Sequence, residues 1–149
     1  MFRHHPILTT ATVVYLGVVG WITLGPQPVE QEGLFFRVLG WLQGQGWFTW
    51  VTYNGVEFAA NVLMFLPIGL FFLLLLGRRN WWIAAIVGAG LSGLIEFAQL
   101  FLPARVSDPR DLAANSVGAV IGVLIGLIAT WPAAVRRRRA ARRREAVRA

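Results

Sequence analysis

Four long stretches of the chain carry almost no charge, and they constrain the fold more than any other feature. They cover residues 7–25, 58–76, 81–102 and 112–131, and only the third contains a charged residue, Glu96. A helix of about 20 apolar residues crosses a bilayer core about 30 Å thick, so each stretch is long enough to span it. Open sheets cannot cross lipid, because their edge groups would lack hydrogen-bond partners. The sequence therefore predicts an all-α membrane protein, a bundle of four transmembrane helices.

The composition excludes a soluble enzyme. Of 149 residues, 56% are hydrophobic and 14% are charged, whereas a soluble domain has about 25% charged residues. The length fits one domain, which we place at residues 1–132, followed by a tail at 133–149. The chain has no cysteine, which removes disulfides, thiolate metal sites and cysteine nucleophiles.

The first apolar stretch has a second interpretation as a cleaved signal peptide, because Arg3 precedes it. The stretch is 19 residues long, and no small-x-small cleavage site precedes Pro26. We therefore favour a membrane-spanning helix.

The arginines predict the orientation of the bundle. The chain has 14 basic residues, all arginine. With the N-terminus inside, 11 of them lie on the inner side, namely Arg3, Arg78, Arg79 and the eight of the tail. Only Arg37, Arg105 and Arg110 then lie outside. The positive-inside rule therefore predicts a multi-pass protein of the plasma membrane with both termini in the cytoplasm.

Most of the tail arginines form two runs, which we expect to bind the anionic inner leaflet at about 1 kcal/mol each. Nucleic acid is the alternative partner. The tail is short, follows a span directly and has no aromatic residue for stacking, so we predict no nucleic-acid binding. The arginines of the runs are Arg136, Arg137, Arg138, Arg139, Arg142, Arg143 and Arg144.

The segment 34–54 between the first two spans is apolar but is interrupted by three glycines and by Arg37. Trp41, Trp47 and Trp50 are typical of a membrane–water interface. We predict an amphipathic or re-entrant helix that lies on, or dips into, the outer leaflet. A tethering loop is the alternative.

Polar residues gather at the outer ends of spans two, three and four, and no comparable group exists at the inner ends. Polar and ionisable groups inside a membrane are costly, so their position indicates a functional site. The alternative is a structural clasp that fixes the bundle, in which Arg105 pairs with Glu96. The eight residues are Glu57, Asn61, Glu96, Gln99, Arg105, Asp108, Asp111 and Asn115.

Small residues predict how the helices pack. Gly118, Gly122 and Gly126 form a double G-x-x-x-G pattern, which lets helix backbones approach closely. We expect this seam to pack within one copy of the chain; the alternative is an oligomer contact. Pro67, two residues before Gly69, is expected to kink the second span.

The order of these residues resembles the VanZ-like family of small bacterial membrane proteins. Asn61-x-x-x-Phe65-x-Pro67-x-Gly69 is followed by Glu96-x-x-Gln99. Arg105-x-x-Asp108-x-x-Asp111-x-x-x-Asn115-x-x-Gly118-x-x-x-Gly122 comes next. The chain departs from many relatives at Pro109-Arg110, which adds a positive charge near the cluster.

The resemblance implies an integral membrane protein of the bacterial cell envelope, linked to glycopeptide (teicoplanin) resistance. We interpret it as a non-enzymatic factor whose outer cluster binds a lipid headgroup, a cell-wall precursor, the antibiotic or a partner protein. We predict no metal and no cofactor. The alternative is an intramembrane enzyme that acts on a lipid-linked phosphate through carboxylates, with or without a divalent metal. A transporter is disfavoured, because four spans are few and no inverted repeat is apparent.

Overall fold

The computed structural model describes residues 6–26, 34–103 and 108–148, and all side chains there except those of 34–36, 137–139, 141–144 and 147–148. This part of the chain forms five α-helices and a 3₁₀ turn. Four of the helices are long and apolar enough to cross a membrane, which confirms the predicted all-α membrane bundle. The elements are α1 (Pro6–Leu24), α2 (Leu34–Gly44), α3 (Tyr53–Leu76), the 3₁₀ turn (Arg78–Asn80), α4 (Trp81–Gln99) and α5 (Pro109–Arg148).

The helices extend beyond their apolar stretches where capping groups are available. α3 begins five residues before 58, because the Thr52 hydroxyl accepts a hydrogen bond from the Gly55 N–H at 3.1 Å. This contact satisfies an N–H group that lacks a partner within the helix. α5 has 40 residues, so at 1.5 Å per residue it is about 60 Å long and includes most of the tail. α4 ends at Gln99, three residues earlier than expected.

Backbone contact between α3 and α5 forms the centre of the bundle. Gly118 faces the carbonyl of Val62, and Gly122 faces the carbonyl of Leu66 one turn further along α3. A Cβ atom at either glycine would collide with the backbone of α3. Gly69 approaches the backbone of α5 in the same way. The two helices therefore lie closer than any larger residue at these positions would allow.

α4 and the part of α5 that follows Gly118 complete this packing with side-chain contacts. A Cβ at Gly88 would meet the Cβ of Ala119, and a Cβ at Gly126 would meet the ends of the Leu70 and Leu73 side chains. Leu73 and Ala84 form an apolar cluster with Val123 of α5. The three helices α3, α4 and α5 therefore form one packed unit.

α1 lies at the periphery of this unit, with only Thr12, Val19 and Thr23 buried. Val19 packs on Phe65 and Ile68 of α3. The Tyr15 hydroxyl donates to the Met64 carbonyl at 2.8 Å, near Pro67, through which α3 continues.

α2 is a separate short helix before α3. The Gln43 amide donates to the Val51 carbonyl at 2.7 Å, which holds the turn after α2 against its last residues. Trp41, Trp47 and Trp50 are all exposed. The contact of this segment with the outer leaflet stays a prediction.

Candidate functional site

The alternating directions of the four long helices bring the end of α1, the start of α3, the end of α4 and the start of α5 together. We call this the polar end of the bundle. The hydrogen bonds described below link these helices in pairs. We call the residues that make these bonds the polar knot, which comprises Thr23, Asn61, Ser92, Glu96, Gln99, Asp108, Asp111 and Asn115.

The start of α5 is fixed by Asp108. Its carboxylate accepts a hydrogen bond from the Arg110 N–H at 2.8 Å, and its carbonyl accepts one from the Asp111 N–H at 2.9 Å. Pro109 is the first residue of the helix, a position where the missing N–H costs nothing. Asp108 is therefore the N-cap of α5.

Glu96 connects the end of α4 to this cap. Its side chain is buried, and Oε2 accepts a hydrogen bond from the Asp108 backbone N–H at 3.0 Å. A buried carboxyl group needs such partners, because desolvation penalises its charged form. The contact holds the beginning of α5 against the last turn of α4.

Asn61 connects α3 to the first turn of α5. Its Nδ2 donates to Asp111 Oδ1 at 2.7 Å, and both side chains are half-buried. Only one carboxylate oxygen of Asp111 is used in this bond. Each of the three helices α3, α4 and α5 is thus held at the polar end by at least one carboxylate contact.

Two buried amides lie deeper in the knot. Asn115, which is 2% exposed, donates from Nδ2 to the Ser92 hydroxyl at 3.0 Å and so links α5 to α4. Gln99 donates from Nε2 to the Thr23 carbonyl at 3.1 Å and links α4 to α1. The carbonyl oxygens of both amides are buried and accept no hydrogen bond from the described residues. Buried acceptors without a donor are costly, so they mark this layer as one that a hydrogen-bond donor would stabilise.

A cleft of about 350 Å³ opens above the knot, between the first turns of α3 and α5. We call it the polar cleft. Three carboxylates and one guanidinium group line it, with a hydroxyl and an amide beside them. Glu57 and Arg110 are exposed, whereas Asp108 and Asp111 are half-buried. The lining residues are Thr52, Asn54, Gly55, Glu57, Phe58, Asp108, Arg110 and Asp111.

The arrangement can bind a ligand that carries both a cationic and an anionic group. Carboxylates accept hydrogen bonds from ammonium groups, and a guanidinium group pairs with phosphate or carboxylate. Within the described ranges, no three His, Cys, Asp or Glu side chains are grouped so that they could hold a metal ion.

A sequence model of the VanZ/LLP1 family matches residues 12–130. The chain belongs to the VanZ/LLP1 family. Neither curated proteins nor solved structures give a significant match to the chain.

The family match extends from α1 into α5 and therefore includes the whole polar knot and the polar cleft. Of the eight polar residues singled out from the sequence, seven lie in this region of the VanZ/LLP1 chain, and the eighth, Arg105, is outside the described residues. The glycines of the seam lie between α3 and α5 of one copy. In the tail, Arg136 is exposed, and the side chains of the other six arginines in the two runs lie outside the described part of the structure.

Sequence reasoning missed Thr23, Thr52 and Asn54 as members of this region. Thr23 takes part through its backbone carbonyl, which no side-chain pattern reports. Thr52 and Asn54 precede the apolar stretch at 58, so a hydropathy criterion leaves them in a loop. The helix-capping preference of Thr52 was the available signal.

Proposed function

We propose that the chain is a non-enzymatic membrane protein of the bacterial cell envelope, and that its polar cleft binds a polar envelope ligand. The observation that supports this proposal is that two groups of residues at the polar end differ in their surroundings. The knot residues have partners within the bundle, whereas Glu57 and Arg110 are exposed at the mouth of a 350 Å³ cleft. A structural clasp explains the knot but does not require the cleft.

The mixed charge of the cleft favours a ligand with an amino group and an anionic group. A zwitterionic lipid headgroup, a cell-wall precursor with a phosphate and a peptide, and a glycopeptide antibiotic each carry both. By the predicted orientation the cleft faces the outside of the plasma membrane, where all three are found. The link to teicoplanin resistance rests on the family resemblance alone.

Binding is tested with purified protein in lipid nanodiscs, using teicoplanin, a lipid-linked cell-wall precursor and phosphatidylethanolamine as separate probes. We compare Glu57→Gln and Arg110→Gln with Glu145→Gln, an exposed residue near the far end of α5. A hydrogen bond to a charged group contributes about 1.5–3 kcal/mol. Each cleft variant should therefore lower the affinity for one probe by at least about tenfold, whereas Glu145→Gln should leave it unchanged.

Protein level and thermal stability separate a binding site from a clasp. Asn115→Ala should lower the stability of the bundle, because Asn115 is buried in the knot, while the two cleft variants should remain as stable as the unaltered protein. Teicoplanin sensitivity of cells that express each variant then reports whether binding matters in the envelope. Cleft variants that bind every probe normally would contradict the proposal. Turnover of an isoprenoid phosphate that stops in Asp108→Asn would replace it with an enzymatic function.

A further inference from the structure

At the end of the bundle opposite the polar end, an arginine side chain is held by contacts with a neighbouring helix. Arg78 opens the 3₁₀ turn between α3 and α4, and its side chain is half-buried. Its Nη1 donates to the Leu127 carbonyl and to the Thr130 hydroxyl of α5. Its Cζ lies 5.5 Å from the centre of the Trp131 ring. Both N–H groups of Nη1 therefore have acceptors, and one face of the guanidinium lies against an aromatic ring.

The guanidinium of Arg78 has further N–H donors that these contacts leave unused. An arginine side chain has five N–H groups, and the contacts of Nη1 use two of them. No residue in the described part of the chain accepts a hydrogen bond from Nε or Nη2 of Arg78. The bonds to α5 fix the orientation of the group, so these remaining donors are held in place before any ligand arrives.

A cavity of about 350 Å³ lies beside Arg78, between the end of α3 and α5. Its polar corner consists of Arg78 and Thr130, and Leu74, Ala133 and Ala134 supply much of the remaining wall. A site with a fixed cation at one corner and apolar walls elsewhere fits an amphiphile better than a free ion.

The residues around this cavity are of the kinds found at the headgroup level of a membrane, and their net charge is positive. Trp81 and Trp82 at the start of α4 are exposed, as tryptophans at a membrane interface are. Arg79 and Arg136 are exposed at the same end. The acid of α5 nearest to this end, Glu145, lies nine residues beyond Arg136, about 13 Å further along the helix axis.

We propose that this cavity binds the phosphate and glycerol region of an anionic phospholipid, with Arg78 as the phosphate ligand. The free N–H groups on Nε and Nη2 form a fork that matches two phosphate oxygens. Leu74 and Ala134 contact the first carbons of the acyl chains. Basic pockets between membrane helices are a general means of binding anionic lipid headgroups. The site is distinct from the polar cleft and does not depend on the function proposed for it.

The test measures thermal unfolding of the full-length protein in a neutral detergent during titration with phosphatidylglycerol, phosphatidylcholine or inorganic phosphate. Phosphatidylglycerol should raise the midpoint saturably, whereas phosphatidylcholine and inorganic phosphate at equal concentration should not. Two variants alter the site. Ala134→Leu fills the cavity and retains the bonds of Arg78 to α5, and Arg78→Lys retains the charge but removes the fork.

Both variants should require at least about tenfold more phosphatidylglycerol for half of the maximal shift. The matched controls are Arg79→Gln, which removes a neighbouring exposed charge, and Ala129→Leu, which adds the same apolar group on the exposed face of α5. Both should stay within about twofold of the unaltered protein. All variants keep the tail arginines, so general attraction to the membrane is constant. The proposal is overturned by a normal response in Ala134→Leu, by an equal loss in Arg79→Gln, or by an equal shift with inorganic phosphate.

Discussion

The close contact of α3 and α5 predicts a graded response to adding one methyl group along the glycine seam. Gly122→Ala places a Cβ against the backbone of α3 at Leu66 and Leu70. Neither neighbour can move by changing a rotamer, so the two helices must separate. Overpacking of a well-packed core costs about 1–3 kcal/mol. The better helix propensity of alanine returns at most about 1 kcal/mol of that cost. Because the new Cβ would overlap backbone atoms rather than side-chain ends, we expect a cost of about 2–3 kcal/mol before that gain. The net loss in the free energy of unfolding is then roughly 1–2 kcal/mol.

Alanine substitutions at two further glycines serve as comparisons for the loss expected in Gly122→Ala. Gly126→Ala meets only the ends of the Leu70 and Leu73 side chains, which can shift, so it should cost less than Gly122→Ala. Gly90→Ala is exposed on α4 with no atom within 4 Å of the new methyl group, so it should cost nothing. The free energy of unfolding is measured in mixed micelles by titration with sodium dodecyl sulfate, followed by circular dichroism. Equal stability of Gly122→Ala and the unaltered protein, or an equal loss in Gly90→Ala, would refute the reasoning.

Two predictions concern the polar knot. A double-mutant cycle of Asn115→Ala and Ser92→Ala is measured by the same unfolding titration. The coupling energy should be about 0.6 kcal/mol and no more than about 1.7 kcal/mol, the average and the maximum for hydrogen bonds between membrane helices. Additive losses would show that the two side chains do not interact. Asp108→Ala removes the N-cap of α5 and should lower the free energy of unfolding by about 1 kcal/mol. Asp108→Asn retains a capping oxygen and should lose much less. Equal losses in the two variants would contradict the assignment of the cap.

The apolar stretches predicted the fold because a membrane helix satisfies all of its backbone hydrogen bonds internally, so its existence follows from local sequence. The helix ends were predicted less well. α3 starts at Tyr53 and α5 starts at Pro109, since Thr52 and Asp108 cap polar first turns that a hydropathy profile assigns to loops. Capping is a contact of one side chain with one backbone group, and hydropathy averaged over a window of residues does not detect it.

The sequence predicted most of the residues of the candidate site, but not that they divide into a polar knot and a polar cleft. The sequence placed Glu96 and Asn115 in the polar group at the ends of spans three and four, and both residues are buried. Spacing along one helix does not determine which side chain of another helix it meets. The contacts of Glu96 with the Asp108 backbone and of Gln99 with the Thr23 carbonyl therefore emerged only from the assembled bundle. The cavity at Arg78 was missed for the same reason, because the acceptors of its guanidinium lie about 50 residues further along the chain.

The pairing of α3 with α5 also has a consequence for biogenesis. The 60 residues from 77 to 136 must be synthesised after α3 before the whole of its partner span exists. At about 5–20 residues per second this takes roughly 3–12 s. During that interval the face of α3 that later receives Gly118 and Gly122 is covered by lipid or by the insertion machinery. α1, α3 and α4 can pack against one another before α5 exists. The central seam between α3 and α5 cannot form until the last span has been synthesised.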